Sequence, residues 1–390
     1  MSTIESPDDE SGLASYLTDC NSELKPLDVL GGGSMQGVNG SASASDIVCL
    51  SAMDGVVDYD PTELMLTVKA GTPLGQISDL LAESGQMLAF EPMMMGGLTG
   101  NVSATSTIGG VVSANLSGPR RIHAGAARDC FLGFRAVSAQ GEIFKAGGRV
   151  VKNVTGFDLP RLLAGAWGTL AVLTELSLKV VPVPRLTETL LISGLDVFRA
   201  CEAMVRARAI PSSVSGAAHL PKLAASRSAL RSPDSVTLLR VEGTDSSVAD
   251  AIRKLRRELA SFGELIPVDG RTGRETWLEV GRVNNLLPKD GPVWRLTAMP
   301  AEVVKVLSRS SSDDWLLDWG GRQLWLHSET APPQPTRANL QCWRQTSDSH
   351  SERRGALPSA ELEIMQRIKA NFDPNNILNP GRLFPPAERG

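Results

Sequence analysis

Metal-binding residues are scarce in this chain. Its five cysteines, Cys20, Cys49, Cys130, Cys201 and Cys342, lie far apart and include no CxxC pair, which argues against a thiolate-ligated zinc or iron–sulfur centre. The four histidines, at positions 123, 219, 327 and 350, are equally dispersed and form no HExxH motif. No metal site is expected, and the odd cysteine count fits a reducing cytosol. Positive charge is not in excess either: 39 basic residues against 43 acidic ones leave a formal charge of −4. A phosphate backbone would find no global attraction, so nucleic acid is not an expected partner. No run of about 18 consecutive apolar residues is present to span a membrane. The start, MSTIESPDDESG, is acidic and lacks the basic and apolar regions of a secretory signal. Within 390 residues there is room for two domains, and any chemistry is expected to lean on an organic cofactor.

Glycine, by contrast, is abundant and unevenly placed: 24 of the 37 fall at or before residue 185. The longest interval without Asp, Glu, Lys or Arg runs for 28 residues from Pro92 to Pro119, and it holds six glycines and only 11 apolar residues. A charge-free, polar and φ-permissive stretch of this kind suits backbone laid against a ligand rather than a membrane span.

A β-rich run ends in the alternating prolines of Val180-Val181-Pro182-Val183-Pro184, which cannot continue a central strand. A domain boundary is placed there. Before it, strand-like runs at 46–50, 64–68 and 132–137 alternate with glycine turns and a helix at 74–83. After it, helical patterns at 197–209, 248–262 and 301–309 alternate with apolar runs at 189–192, 236–241 and 293–299. Six of the seven tryptophans lie between Trp277 and Trp343, so this half is expected to pack around bulky rings. The stretch 328–354, polar and proline-containing, reads as a connector. A last helix is expected at 360–371. The chain is α+β, with expected domains 1–184 and 185–355 and a tail, 356–390, that returns to the first.

Four segments carry the candidate chemistry. Leu27-Asp28-Val29-Leu30-Gly31-Gly32-Gly33-Ser34-Met35 ends a strand in a glycine loop whose amides can form a phosphate-binding nest. It matches neither GxGxxG nor GKS/GKT, and alone it is better read as a plain turn. Ser106-Thr107-Ile108-Gly109-Gly110-Val111-Val112-Ser113-Ala114-Asn115 reads as a glycine pair leading into a short helix, or simply as a tight turn. Gly156-Phe157-Asp158-Leu159 through Ala164-Gly165-Ala166-Trp167-Gly168-Thr169-Leu170 reads as a helix ended by glycines, followed by a buried strand. Asn379-Pro380-Gly381-Arg382 is a turn. Arg120, Arg121, His123 and Arg128 could meet a carboxylate, but a solvated basic face is the simpler expectation. Asp158 and Lys152 suit helix-end or ion-pair roles.

Together and in this order, these segments resemble the FAD-binding domain of the vanillyl-alcohol oxidase/PCMH flavoprotein family, and within it the branch acting on 2-hydroxy acids. The resemblance covers roughly residues 24–184 and 360–384. It implies a PCMH-type two-part FAD-binding domain followed by a smaller α+β cap. It places Gly31, Gly32, Gly33, Ser34 and Met35 at the cofactor pyrophosphate. Pro92, Thr107, Ile108, Gly109, Gly110, Ser113, Asn115 and Gly118 fall in a second flavin segment, Gly168, Thr169 and Val172 in a third, and Asn379 in the closing turn. Gly33, Ser34 and Met35 stand where relatives with covalent flavin carry histidine, so the implied FAD is noncovalent. Catalytic members of the branch carry an HGEHGIG-type motif in the cap, which is missing here.

An intact flavin module with a reduced cap resembles the FAD-binding subunits of bacterial glycolate-oxidising complexes. That likeness implies a larger catalytic FAD-linked glycolate oxidase subunit and an iron–sulfur subunit as partners. It also implies oxidation of glycolate to glyoxylate, and a cytoplasmic location with any membrane attachment through those partners. A stand-alone dehydrogenase of lactate or glycolate, and a scaffold with the fold but no flavin, remain alternatives. No residue is named as the catalytic base.

Overall fold

The spacing of apolar residues sets the elements, and hydrogen-bonding side chains set their ends. The computed structural model describes residues 4–36, 38, 46–99, 104–148, 157–210, 214–286, 291–344, 355 and 357–383. Lys152 lies outside them. Contacts divide the chain into two units, one of Met1–Leu116, Ala126–Pro182 and Leu357–Gly390, the other of Ser117–Gly125 and Val183–Ala356.

In the first unit, the helix Glu10–Ser22 starts where the Asp9 side chain accepts from the Gly12 amide at 2.8 Å, satisfying a donor that the first turn leaves open. Leu13, Leu17 and Cys20 line its buried stripe, at the i, i+4, i+7 spacing of one helix face. Full burial of a leucine side chain contributes about 1.5–3 kcal/mol. The helix connects strands of a three-stranded parallel sheet, ordered Ile4–Glu5, Asp46–Cys49, Leu27–Leu30. The same core takes in Val137 and Val172 of a second, antiparallel sheet, as well as Ile377 and Leu378. That sheet has five strands in the order Val56–Asp60, Met65–Lys69, Val172–Lys179, Phe131–Val137, Ile143–Gly147. Helix Leu74–Glu83 buries Leu74, Ile77 and Leu81. After the helix Ser359–Phe372 the tail runs beside Leu27–Leu30, with the Leu27 amide donating to the Ile377 carbonyl and the Asn379 amide to the Leu27 carbonyl.

The second unit is built on an eight-stranded antiparallel sheet, ordered Ile266–Val268, Leu186–Ser193, Val236–Gly243, Val214–Leu220, Trp315–Asp318, Gln323–His327, Val293–Thr297, Asn339–Arg344. Alternate residues Leu190, Leu239, Val241, Leu317, Leu324, Trp294, Leu296 and Leu340 form one core with Ala200 and Met204 of helix Val197–Ala209, Val248 and Leu255 of Asp245–Glu258, and Val303 and Val306 of Pro300–Leu307. The period-2 side-chain rule of strands produces this division.

Two expectations are corrected. The stretch 328–354 is not all connector, because Asn339–Arg344 is an edge strand that sends Leu340 and Cys342 into the core. Its short alternation was hidden by the polar residues on both sides. The basic cluster near residue 120 is also not one solvated face. Arg120 is buried in an ion pair with Glu242, Arg121 stacks 4.5 Å from the centre of the Trp319 ring, and only His123 and Arg128 are exposed.

Candidate functional site

Strand Leu27–Leu30 runs straight into the glycine loop, and the chain there admits no side chain. A Cβ on Gly31 would collide with the Thr107 hydroxyl and one on Gly32 with the Thr105 carbonyl, while Gly33 has φ 75°. Glycine is therefore required for close backbone approach at two positions and for the left-handed conformation at the third. The Thr105 amide donates to the Gly32 carbonyl at 3.1 Å, tying the loop to the second segment. Ser106 Oγ accepts from the Met95 amide and donates to Ser34 Oγ at 3.1 Å, so the Ser34 hydroxyl keeps its own hydrogen for another acceptor.

The second segment enters the helix Ile108–Ser113, capped by Thr107. Gly109 packs so closely that a Cβ would come within 2.7 Å of Ala70 Cβ, whereas Gly110 is contacted mainly by the end of Met35, at 3.2 Å. In the third segment, Trp167 holds φ 55°, an unfavourable conformation for a bulky residue. It is fixed from both sides: its amide donates to the Ser113 carbonyl and its carbonyl accepts from Asn379 Nδ2, each at 2.8 Å. Asn379 Oδ1 in turn accepts from the Val29 amide at 2.8 Å, so one side chain joins the first segment, the third and the tail.

Lys369 completes the clamp. Its buried ammonium donates to the carbonyls of Thr169 and Leu378 and to Asp373. Burial holds the Lys369 pKa down, opposed by Asp373.

These segments line one cleft open to solvent. Gly31, Gly32, Gly33, Ser34, Met35, Thr107, Gly109, Gly110, Ser113, Gly168, Val172 and Asn379 all line it. Five expected residues do not. Ile108 and Thr169 are buried behind the wall, Pro92 is half-buried elsewhere, and Asn115 turns its Oδ1 to the Arg128 amide. Gly118 belongs to the second unit, where its carbonyl accepts from Trp319 Nε1 at 3.0 Å.

Gln36, Leu50 and Arg382 also line the cleft and were not among the expected residues, while Trp167 lies within the expected third segment. Arg382 is the only ionisable side chain among the described lining residues. It is 6% exposed and its Nε has no hydrogen-bond partner. Burial lowers its pKa against the attraction of Asp28, and burial raises the pKa of Asp28 against the attraction of Arg382. The NPGR tetrapeptide was the available signal for it.

Known proteins match the chain at both ends of this site. A family model described as "FAD binding domain" matches residues 2–147, and one described as "FAD linked oxidases, C-terminal domain" matches residues 354–383. Over 357 residues, 90% of the chain and 92% of the relative, it is 32% identical to the glycolate oxidase subunit GlcE of Escherichia coli (strain K12). The chain belongs to the FAD-linked oxidase family. This FAD-linked oxidase is also 28% identical to the glycolate oxidase subunit GlcD of Bacillus subtilis (strain 168), over 54% of the chain and 44% of that protein. It is 24% identical to a D-lactate dehydrogenase of Archaeoglobus fulgidus, over 97% and 90% of the two chains. Among solved structures, p-cresol methylhydroxylase with substrate bound superposes with a TM-score of 0.73 at 13% identity, covering 99% of this chain and 89% of that one. The fold is thus α+β of the PCMH type, and the cofactor of this FAD-linked oxidoreductase is FAD. Its cleft fits that group: a wall of glycine backbone, an available serine hydroxyl and one buried cation meet along one lining. Among the described residues, no helix is long and apolar enough to cross a membrane.

Proposed function

We propose that this chain is the FAD-binding subunit of a complex that oxidises glycolate to glyoxylate, alongside a larger catalytic FAD-linked subunit, and passes the electrons to an iron–sulfur subunit. The observation that carries this reading is the likeness to a glycolate oxidase subunit along nine-tenths of both chains. The flavin-binding part comprises residues 1–184 with 356–390 returning to it, and 185–355 form the cap. Gly31–Met35, Thr107, Gly109, Gly110, Ser113, Gly168, Val172 and Asn379 hold the cofactor noncovalently, since a loop of Gly33, Ser34 and Met35 offers no histidine for a covalent bond. When bound, FAD supplies a two-electron acceptor. The residues of the chain bind and orient it, with the backbone of the three segments as the wall and the Asn379 and Lys369 contacts holding those segments together.

Dependence on a partner is supported by the ionisable groups. A 2-hydroxy acid must lose its hydroxyl proton to a base, and the described cleft residues offer only Arg382, which stays protonated. In the cap, His219 is wholly buried, its Nδ1 is 2.9 Å from Thr237 Oγ1, and burial pushes its pKa down to about 4.

A stand-alone 2-hydroxy-acid dehydrogenase is the second reading, favoured by the likeness to the archaeal D-lactate dehydrogenase over nearly the whole chain. Anaerobic addition of glycolate or D-lactate to the purified chain separates the two. The complex reading predicts an unchanged flavin spectrum until the catalytic partner is added, and rapid bleaching of the chain alone would overturn it. A scaffold without flavin is excluded if the purified chain is yellow.

A further inference from the structure

We propose that Arg382 is the counter-cation for a negative charge of the bound dinucleotide, an inference that rests on the cleft being the FAD site. The guanidinium is placed by a turn that is itself tied down: the Arg382 amide donates to the Asn379 carbonyl at 3.2 Å, and the Asn379 amide to the Leu27 carbonyl at 3.0 Å. Its central carbon lies 5.9 Å from the centre of the Trp167 ring, beside the strained turn of the third segment. Burial removes a guanidinium from water, and without hydrogen bonds the cost is large. Yet Nε of Arg382 is buried with no partner, and so is Oδ1 of Asp28, the acid whose charge attracts it.

The structure thus carries a cation with unused donors in a cleft otherwise walled by backbone and uncharged side chains. A ligand that brings negative charge satisfies it, and the planar, multiply donating guanidinium suits an oxyanion. Asp28 has the opposite effect, because its negative charge already offsets part of the field of Arg382. The two residues therefore act on FAD affinity with opposite signs, which a merely structural role would not produce.

Two parts of FAD present such a charge, the pyrophosphate and the electron-rich edge of the isoalloxazine ring. The test uses the full chain stripped of flavin, with dissociation constants measured for FAD and for ADP, and the midpoint potential of rebound FAD. Arg382→Met is expected to weaken FAD binding roughly ten- to a hundredfold, the usual range for losing a hydrogen bond to a charged group. Arg382→Lys should recover part of that loss, and Asp28→Asn should tighten FAD binding severalfold. If ADP weakens in parallel in Arg382→Met, the pyrophosphate is the partner. If ADP is unaffected and the midpoint potential falls, it is the ring. The melting temperature of each apoprotein checks folding.

Wild-type affinity and potential in Arg382→Met would overturn the proposal, as would a loss in Arg382→Lys as large as that in Arg382→Met, or weakened binding in Asp28→Asn. A wild-type chain that takes up no FAD would instead bring down the cofactor site itself, a result visible before any variant is made.

Discussion

The two units bury polar groups by different means. Around the cleft, polar side chains tie backbone segments together: Asn379 uses its amide oxygen on Val29 and its amide nitrogen on Trp167, and Lys369 donates to Thr169, Leu378 and Asp373. In the eight-stranded unit, two buried cations also lie against several rings. Arg295 lies 5.2 Å from the centre of Trp319 and 5.6 Å from the centres of Trp325 and Trp343, and Arg240 lies 4.9 Å from that of Trp277. Arg295 is buried, and desolvation, aided by Arg121, brings its pKa down to about 9. The first arrangement fixes backbone conformation and leaves a surface shaped for a ligand. The second fills volume. Substitutions in the first unit should therefore reach FAD binding, while those in the second should reach stability alone.

The sharpest contrast pairs two large losses. Trp325→Ala removes a ring that is 1% exposed, and a cavity of that kind costs about 3–5 kcal/mol. Lys369→Met leaves Asp373 buried without its cation, also at about 3–5 kcal/mol. Thermal unfolding should show comparable destabilisation, but flavin titration of the folded fraction should separate them, with wild-type affinity in Trp325→Ala and weakened affinity in Lys369→Met. Equal effects on flavin would break the distinction between the units.

Acid sensitivity should arise in the second unit. His219 has a folded pKa of about 4 against an ordinary value of 6.5, so the unfolded chain binds the extra proton first as pH falls. Its contribution is intact above about pH 6.5, declines between there and pH 4, and amounts to about 3 kcal/mol over that window. His219→Asn should flatten the dependence of stability on pH in this range. An unchanged slope would show that other groups control it.

The smallest effect on stability is expected at Gly110, where an added Cβ meets only the flexible end of Met35 and the Thr107 hydroxyl. Gly110→Trp should shift unfolding by no more than about 1 kcal/mol while abolishing FAD occupancy. Retained flavin would remove the 106–115 segment from the site.

Much of this was legible in the sequence because it depends on local rules. The i, i+3, i+7 spacing of Leu74, Ile77 and Leu81 gave the helix 74–83, and Val197–Ala209 was equally plain. The glycine loop, the Thr107 helix and Asn379 were found through the order of their motifs. What escaped depends on long-range neighbours. Arg120 reads as a surface residue until Glu242, 122 positions away, is folded beside it. Arg382 reads as the end of a turn until Trp167 is folded beside it. The strand Asn339–Arg344 exists because Val293–Thr297 offers it an edge, which no flanking residue announces.

We propose that a backbone-lined cleft in the first unit holds one FAD without a covalent bond. Denaturing the purified chain and passing it through a size-exclusion filter tests this directly, by counting flavin in the filtrate against protein retained. One equivalent of free FAD per chain is the predicted result. A colourless protein, or flavin absorbance that stays with the denatured chain, would contradict it.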